Sequence, residues 1–177
     1  YRVLMYHSIG GQVMRDNLNI YSIEQKLFQK HMDYLSKQSD LSIVDFSDDA
    51  LRLSKNSIAI TFDDGYKDNY DLAYPILKKY NIPFTIYITT SFPENTAVLW
   101  WYIIEDLVVN NDEILLSNNE KYICQTQEQK IDTFLKIRKK VISLGAEIFL
   151  ERLEVLFANY EINWIKKCNE LALSWSQ

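Results

Sequence analysis

The feature that most constrains this chain is a short apolar run ending on two adjacent carboxylates, Ser57-Ile58-Ala59-Ile60-Thr61-Phe62-Asp63-Asp64-Gly65-Tyr66. The run is too short for a helix of ordinary length and reads as a buried parallel strand. In α/β folds ligands collect beyond the carboxyl ends of strands, so Asp63 and Asp64 fall where chemistry usually sits. Like charges this close raise one pKa unless a cation or hydrogen-bond donors offset them. The natural division of labour is one metal ligand and one general base. The plain alternative is a turn, since Asp and Gly favour turns.

The flanks supply an α/β rhythm. Residues 2–9 read as a first strand that ends at Gly10-Gly11 and carries His7 at its exit. From there His7 can reach the Asp pair and orient substrate or a carboxylate, or it can be a hydrogen-bonded structural histidine. Residues 12–21 read as a polar loop at the border of a substrate groove. A helix over 22–38 starts at a capping box, Ser22 with Gln25, and buries Ile23, Leu27, Met32 and Leu35. His31 lies in that helix between apolar neighbours and reads as structural. A short strand at 41–44 and a brief helix or turn at 48–53 precede the central run. After it, Asp68 is placed to cap a helix to about residue 80, Asn81 suits a left-handed C-cap, and Pro83 stops continuation. Residues 84–89 read as the next buried strand. Alternating strands and helices imply parallel pairing with crossovers.

Thr61-Phe62-Asp63-Asp64-Gly65-Tyr66 resembles the first motif of the polysaccharide deacetylases, carbohydrate esterase family four, whose shared module is the NodB-homology domain. Leu4-Met5-Tyr6-His7-Ser8-Ile9 resembles the family's opening strand. Residues 69–75 and Pro83-Phe84-Thr85-Ile86-Tyr87-Ile88 resemble the helix and strand after the motif. The resemblance covers residues 1–98 and implies an α/β fold, a partial or deformed (β/α) barrel. It implies metal-dependent hydrolysis of N- or O-acetyl groups on a polysaccharide or glycan. Asp63 becomes the catalytic base and Asp64 a ligand of a divalent metal, usually zinc. His7 and Tyr66 are assigned to binding or orienting the substrate, an acetylated glycan.

One departure bears on that reading. The family completes its metal site with a second motif, His-x-x-x-His, and this chain has only two histidines, His7 and His31. A catalytic zinc takes three protein ligands and a water. Asp64 alone cannot supply them, so the count predicts weak zinc binding by this chain by itself. The rival reading is a catalytically inactive glycan-binding or scaffold remnant of the same fold. No general acid is assignable.

Beyond residue 98 the rhythm changes. Residues 100–109 read as a helix, and 113–116 with 121–124 as a hairpin around Ser117-Asn118-Asn119-Glu120. Thr126 with Gln129 forms a capping box for a helix to about 144, and further helices are expected over 146–160 and 162–173. Residues 99–172 thus resemble a mostly helical insertion, and Trp100, Trp101 and Tyr102 read either as its hydrophobic root or as rings that stack on sugars. Ser174 with Gln177 is a third box, so residues 173–177 are expected to start a further element that is cut short.

A net charge of −5, with no basic stripe, argues against a nucleic-acid partner. Cys124 and Cys168 form no Cys-x-x-Cys pair and read as free core thiols. No apolar stretch is long enough to span a bilayer, and no signal-peptide pattern is present. Compartment and oligomeric state are not legible.

Overall fold

In a computed structural model of the chain, residues 2–10, 22–45, 56–145, 147 and 149–177 are described. The expected polar loop at 12–21 and the brief helix or turn at 48–53 lie outside the described residues. The chain divides into two compact units, Tyr1–Ala97 with Cys168–Gln177, and Val98–Lys167.

The first unit runs β1 (Arg2–Tyr6), β2 (Ser8–Gly10), β3 (Ser22–Glu24), α1 (Gln25–Ser36), β4 (Ser42–Val44) and β5 (Ser57–Asp64). A π-helical turn (Asn69–Ala73), α2 (Tyr74–Lys79) and β6 (Thr85–Ile88) follow. β5 is the centre. It pairs in parallel with β1 from Ile58 to Phe62, with β4 from Ser57 to Ala59, and with β6 from Thr61 to Asp64. A strand has only two edges. Ile58 and Ala59 pair with β1 and β4 at once, and Thr61 and Phe62 with β1 and β6 at once. β4 and β6 therefore share one edge of β5 end to end, and β1 has the other. The class is mixed α/β, and the four strands form an open sheet among the described residues.

Side chains alternate across a strand. Ile58, Ile60 and Phe62 meet Phe28, Met32 and Leu35 of α1 and Ile76 and Leu77 of α2 in one buried cluster. Phe28 packs edge-on against Phe62 at 5.8 Å and against Tyr6 at 5.1 Å. Burying each such side chain stabilises the fold by about 1.5–3 kcal/mol. The opposite face carries Thr61 and Asp63 with Val3, Met5 and Tyr87, of which the last three are 42%, 59% and 52% exposed. β6 is thus half-buried, not the fully buried strand expected.

Two local expectations are corrected. The first strand is not continuous: it breaks at His7, and β2 leaves the main sheet to pair in parallel with β3. The helix starts at Gln25 without a side-chain cap, because Ser22–Glu24 is taken up as β3 opposite Ser8–Gly10. That pairing is close. A Cβ at Gly10 would stand 2.8 Å from Ser22 Oγ.

The second unit contains α3 (Trp100–Asn110), an antiparallel hairpin of β7 (Glu113–Leu115) and β8 (Lys121–Ile123), α4 (Gln127–Ile142) and α5 (Phe149–Leu156). Thr126 and Gln129 form the expected reciprocal capping box at the start of α4. Ile104, Val108, Ile114, Phe134, Ile137, Val141 and Leu153 are fully buried. The chain returns to the first unit through α6 (Lys166–Leu171). Both cysteines are free and buried.

Candidate active site

β6 accompanies β5 to its end, with Asp63 opposite Tyr87 and Asp64 opposite Ile88. There the backbone reverses. Gly65 N–H donates to the Asp63 carbonyl at 3.0 Å, and Asp64 between them has φ +74°. This is a γ-turn of positive φ, a rare and strained form, built around the second carboxylate. Gly65 continues with φ +93°, and a Cβ there would lie 3.3 Å from Ile88 Cγ2. The turn is fastened from both sides. Thr89 N–H donates to the Asp64 carbonyl at 3.0 Å and Leu173 N–H to the Gly65 carbonyl at 2.9 Å. Tyr66 bridges Ala172, is 3% exposed, and packs edge-on against Phe92 at 5.3 Å.

His7 occupies the break between β1 and β2. Its Nδ1 lies 3.5 Å from Asp64 Oδ2, with the two side chains 46% and 36% exposed. Asp63 and Asp64 line an open groove of about 560 Å³ with Val3, Met5, Thr61, Tyr87 and Thr89. The Asp64 carboxyl is held above the usual carboxylate range. Burial is the main cause, His7 pulls the other way, and Asp63 adds to the rise. His31 lies elsewhere: its Nδ1 is 3.1 Å from the Tyr6 hydroxyl, in a part-buried contact.

Asp68 does not cap the helix that follows. It makes no cap hydrogen bond. Its Oδ2 accepts from Ser8 Oγ at 2.5 Å and from Ile9 N–H at 2.9 Å, and its Oδ1 from Asn69 Nδ2 at 2.9 Å. Asn69 Nδ2 also donates to the His7 carbonyl at 2.9 Å. Asp68 is 1% exposed. Burial pushes its carboxyl up to about 7, against the pull of the bonds from Ser8, Ile9 and Asn69. This network is not legible from residue order, because an Asp ahead of a helix reads as a cap.

Among the described residues, the donors that converge here fall short of a set for a divalent metal. Asp64 and His7 offer two converging ligands, and the described residues contain no group of three His, Cys, Asp or Glu side chains placed to hold an ion.

Residues 50–130 match the family model described as polysaccharide deacetylase. The match contains the γ-turn and both acids. Over that stretch, just under half of its length, the chain is similar to the polysaccharide deacetylases. It is similar to the Bacillus subtilis (strain 168) protein named as a polysaccharide deacetylase, YxkH, with 37% identity over 49% of this chain and 30% of that protein. Among solved structures it is similar to the Streptococcus pyogenes deacetylase PplD, determined in complex with acetate. Identity is 24%, the TM-score 0.45, and the overlap 60% of this chain and 50% of that one. A de-N-acetylase from Aggregatibacter actinomycetemcomitans gives 25% identity and a TM-score of 0.45 over 75% of this chain and 50% of that one. The chain thus spans about a third of the length of the curated deacetylase it matches, and half the length of these structures.

Proposed function

We propose that the Asp63–Asp64–His7 site serves hydrolysis of an N- or O-acetyl group on a glycan. The observation that carries the reading is the approach of His7 to Asp64 at 3.5 Å, beside Asp63 at the end of β5. Asp63, on the groove face, takes a proton from the attacking water as general base. The water oxygen adds to the acetyl carbon, the bond from that carbon to the sugar nitrogen or oxygen breaks, and acetate leaves. The sugar amine or hydroxyl needs a proton in return. His7 is the nearest group able to carry one, and Asp64 orients its ring. Tyr66 acts from behind, by holding the turn rather than by facing the groove. No step is assigned to a metal, because the donors described supply two ligands where a hydrolytic zinc takes three. In the same reading the open sheet is part of a deformed (β/α) barrel, residues 99–172 are inserted into it, and residues 173–177 begin its next element.

The two-ligand count also favours a second reading, a fold that binds acetylated glycan without turning it over. Release of acetate from an N-acetylated amino-sugar oligomer by the protein that carries this chain separates the two. Turnover that Asp63→Asn abolishes supports the enzyme. Binding of the oligomer without acetate release supports the remnant, and neither binding nor release removes both.

A further inference from the structure

Nothing in β1 itself explains why His7 stands at Asp64. The strand ends at Tyr6, and the next residues turn away into a different sheet. What meets them there is the segment just beyond the γ-turn. Asp68 grips Ser8 and Ile9 through one oxygen, and Asn69 grips the His7 carbonyl. Ser8, Ile9, Asp68 and Asn69 are all at most 3% exposed. The chain from Asp64 to Asn69 therefore carries the carboxylate and also holds the backbone of its histidine.

We propose that Asp68, braced by Asn69, is a positioning residue that sets the His7 ring against Asp64. The role rests on the deacetylase reading of that pair, whereas the clamp itself does not. An apolar side chain could glue these segments together at lower desolvation cost, but only a group with directional acceptors fixes their register. Asp68 also stands where a helix cap would stand and makes no capping bond, so its acceptors serve the His7 segment and Asn69.

The test is NMR on the chain and three variants, with two readouts that need no turnover. One is hydrogen exchange at Ile9 N–H. The other is the nuclear Overhauser effect between the His7 ring and the Asp64 methylene. With only two histidines, and His31 bonded to Tyr6 as a reference, assignment is direct. Asp68→Ala should speed Ile9 exchange about tenfold or more and erase the His7–Asp64 signal. Asp68→Asn, whose side-chain oxygen still accepts, should restore both in large part. Ser8→Ala removes one hydroxyl and keeps the fold should Asp68→Ala not. It should weaken the His7–Asp64 signal. Fast Ile9 exchange in Asp68→Ala with the His7–Asp64 signal intact overturns the proposal, as does an unchanged signal in Ser8→Ala. Failure of the acetate-release assay alone leaves these readouts as they are and counts only against the deacetylase reading.

Discussion

His7, just past the end of β1, and Asp64, the last residue of the neighbouring parallel strand β5, meet at 3.5 Å, each beyond the point where the ladder between β1 and β5 stops. The contact is partly open to solvent, so it is adjustable rather than sealed. Its effect on Asp64 is opposed by burial and by Asp63.

The influences of the two neighbouring side chains can be separated by substitution. His7→Ala removes the group that favours the charged form, so Asp64 should titrate higher than in the parent. Asp63→Asn removes a like charge, so Asp64 should titrate lower. Carboxyl carbon shifts followed against pH report both movements. Titration of Asp64 at one unchanged pH in both variants would mean that neither neighbour reaches it.

Stability should fall as pH rises toward neutrality. Asp68 has a folded-state pKa raised from 3.8 to about 7, so the folded chain holds its proton where the unfolded chain has lost it. The stabilisation is fully present below about pH 4 and is lost as pH rises through about 7. Asp64, also raised, acts with the same sign. Urea denaturation at a series of pH values should show this slope, flatter in Asp68→Asn. A slope identical in the variant would remove Asp68 as its source.

Gly65→Ala places a Cβ on a residue with φ +93° and 3.3 Å from Ile88. It should cost on the order of 1–3 kcal/mol. Gly65→Asn should cost less on the backbone count, since Asn visits the left-handed region more readily. Urea midpoints at constant m-value give the comparison, and equal losses in the two variants would point to the Ile88 contact instead.

In the second unit, Thr126→Ala breaks the reciprocal box at the start of α4 and should cost about 1 kcal/mol. The helix spans Gln127–Ile142, so the loss should appear as fraying of its first turn in amide exchange. Full retention of exchange protection at Gln129 N–H would show that the side-chain bond contributes nothing.

Much of this was legible from local chemistry. The apolar run of β5, the hairpin around Asn118-Asn119, the left-handed Asn81 and the Thr126 box are all short-range patterns, and each stands where the sequence puts it. The misreadings share a cause. Ser22-Ile23-Glu24-Gln25 carries a helix-start signal, yet Ser22 joins a strand, because a partner from residues 8–10 arrives from elsewhere in the chain. Asp68 looks like a cap and is a clamp for the same reason. The break at His7 cannot be read from residues 2–9, which are uniformly strand-like, since it is imposed by Asp68 and Asn69. The γ-turn at Asp64 is hinted at only by the Gly that follows it.

That turn limits what mutagenesis at position 64 can mean. With its backbone at φ +74°, the position admits Asp, Asn and Gly far more readily than a residue whose side chain has no local hydrogen bond to offer. An alanine scan would change charge and loop geometry together, and a dead variant would be read as proof of a lost carboxylate when a displaced Asp63 could account for it. Asp64→Asn is the control with matched shape. Any natural drift at this position that preserves the loop should be confined to the same small set of residues, whatever happens to the chemistry.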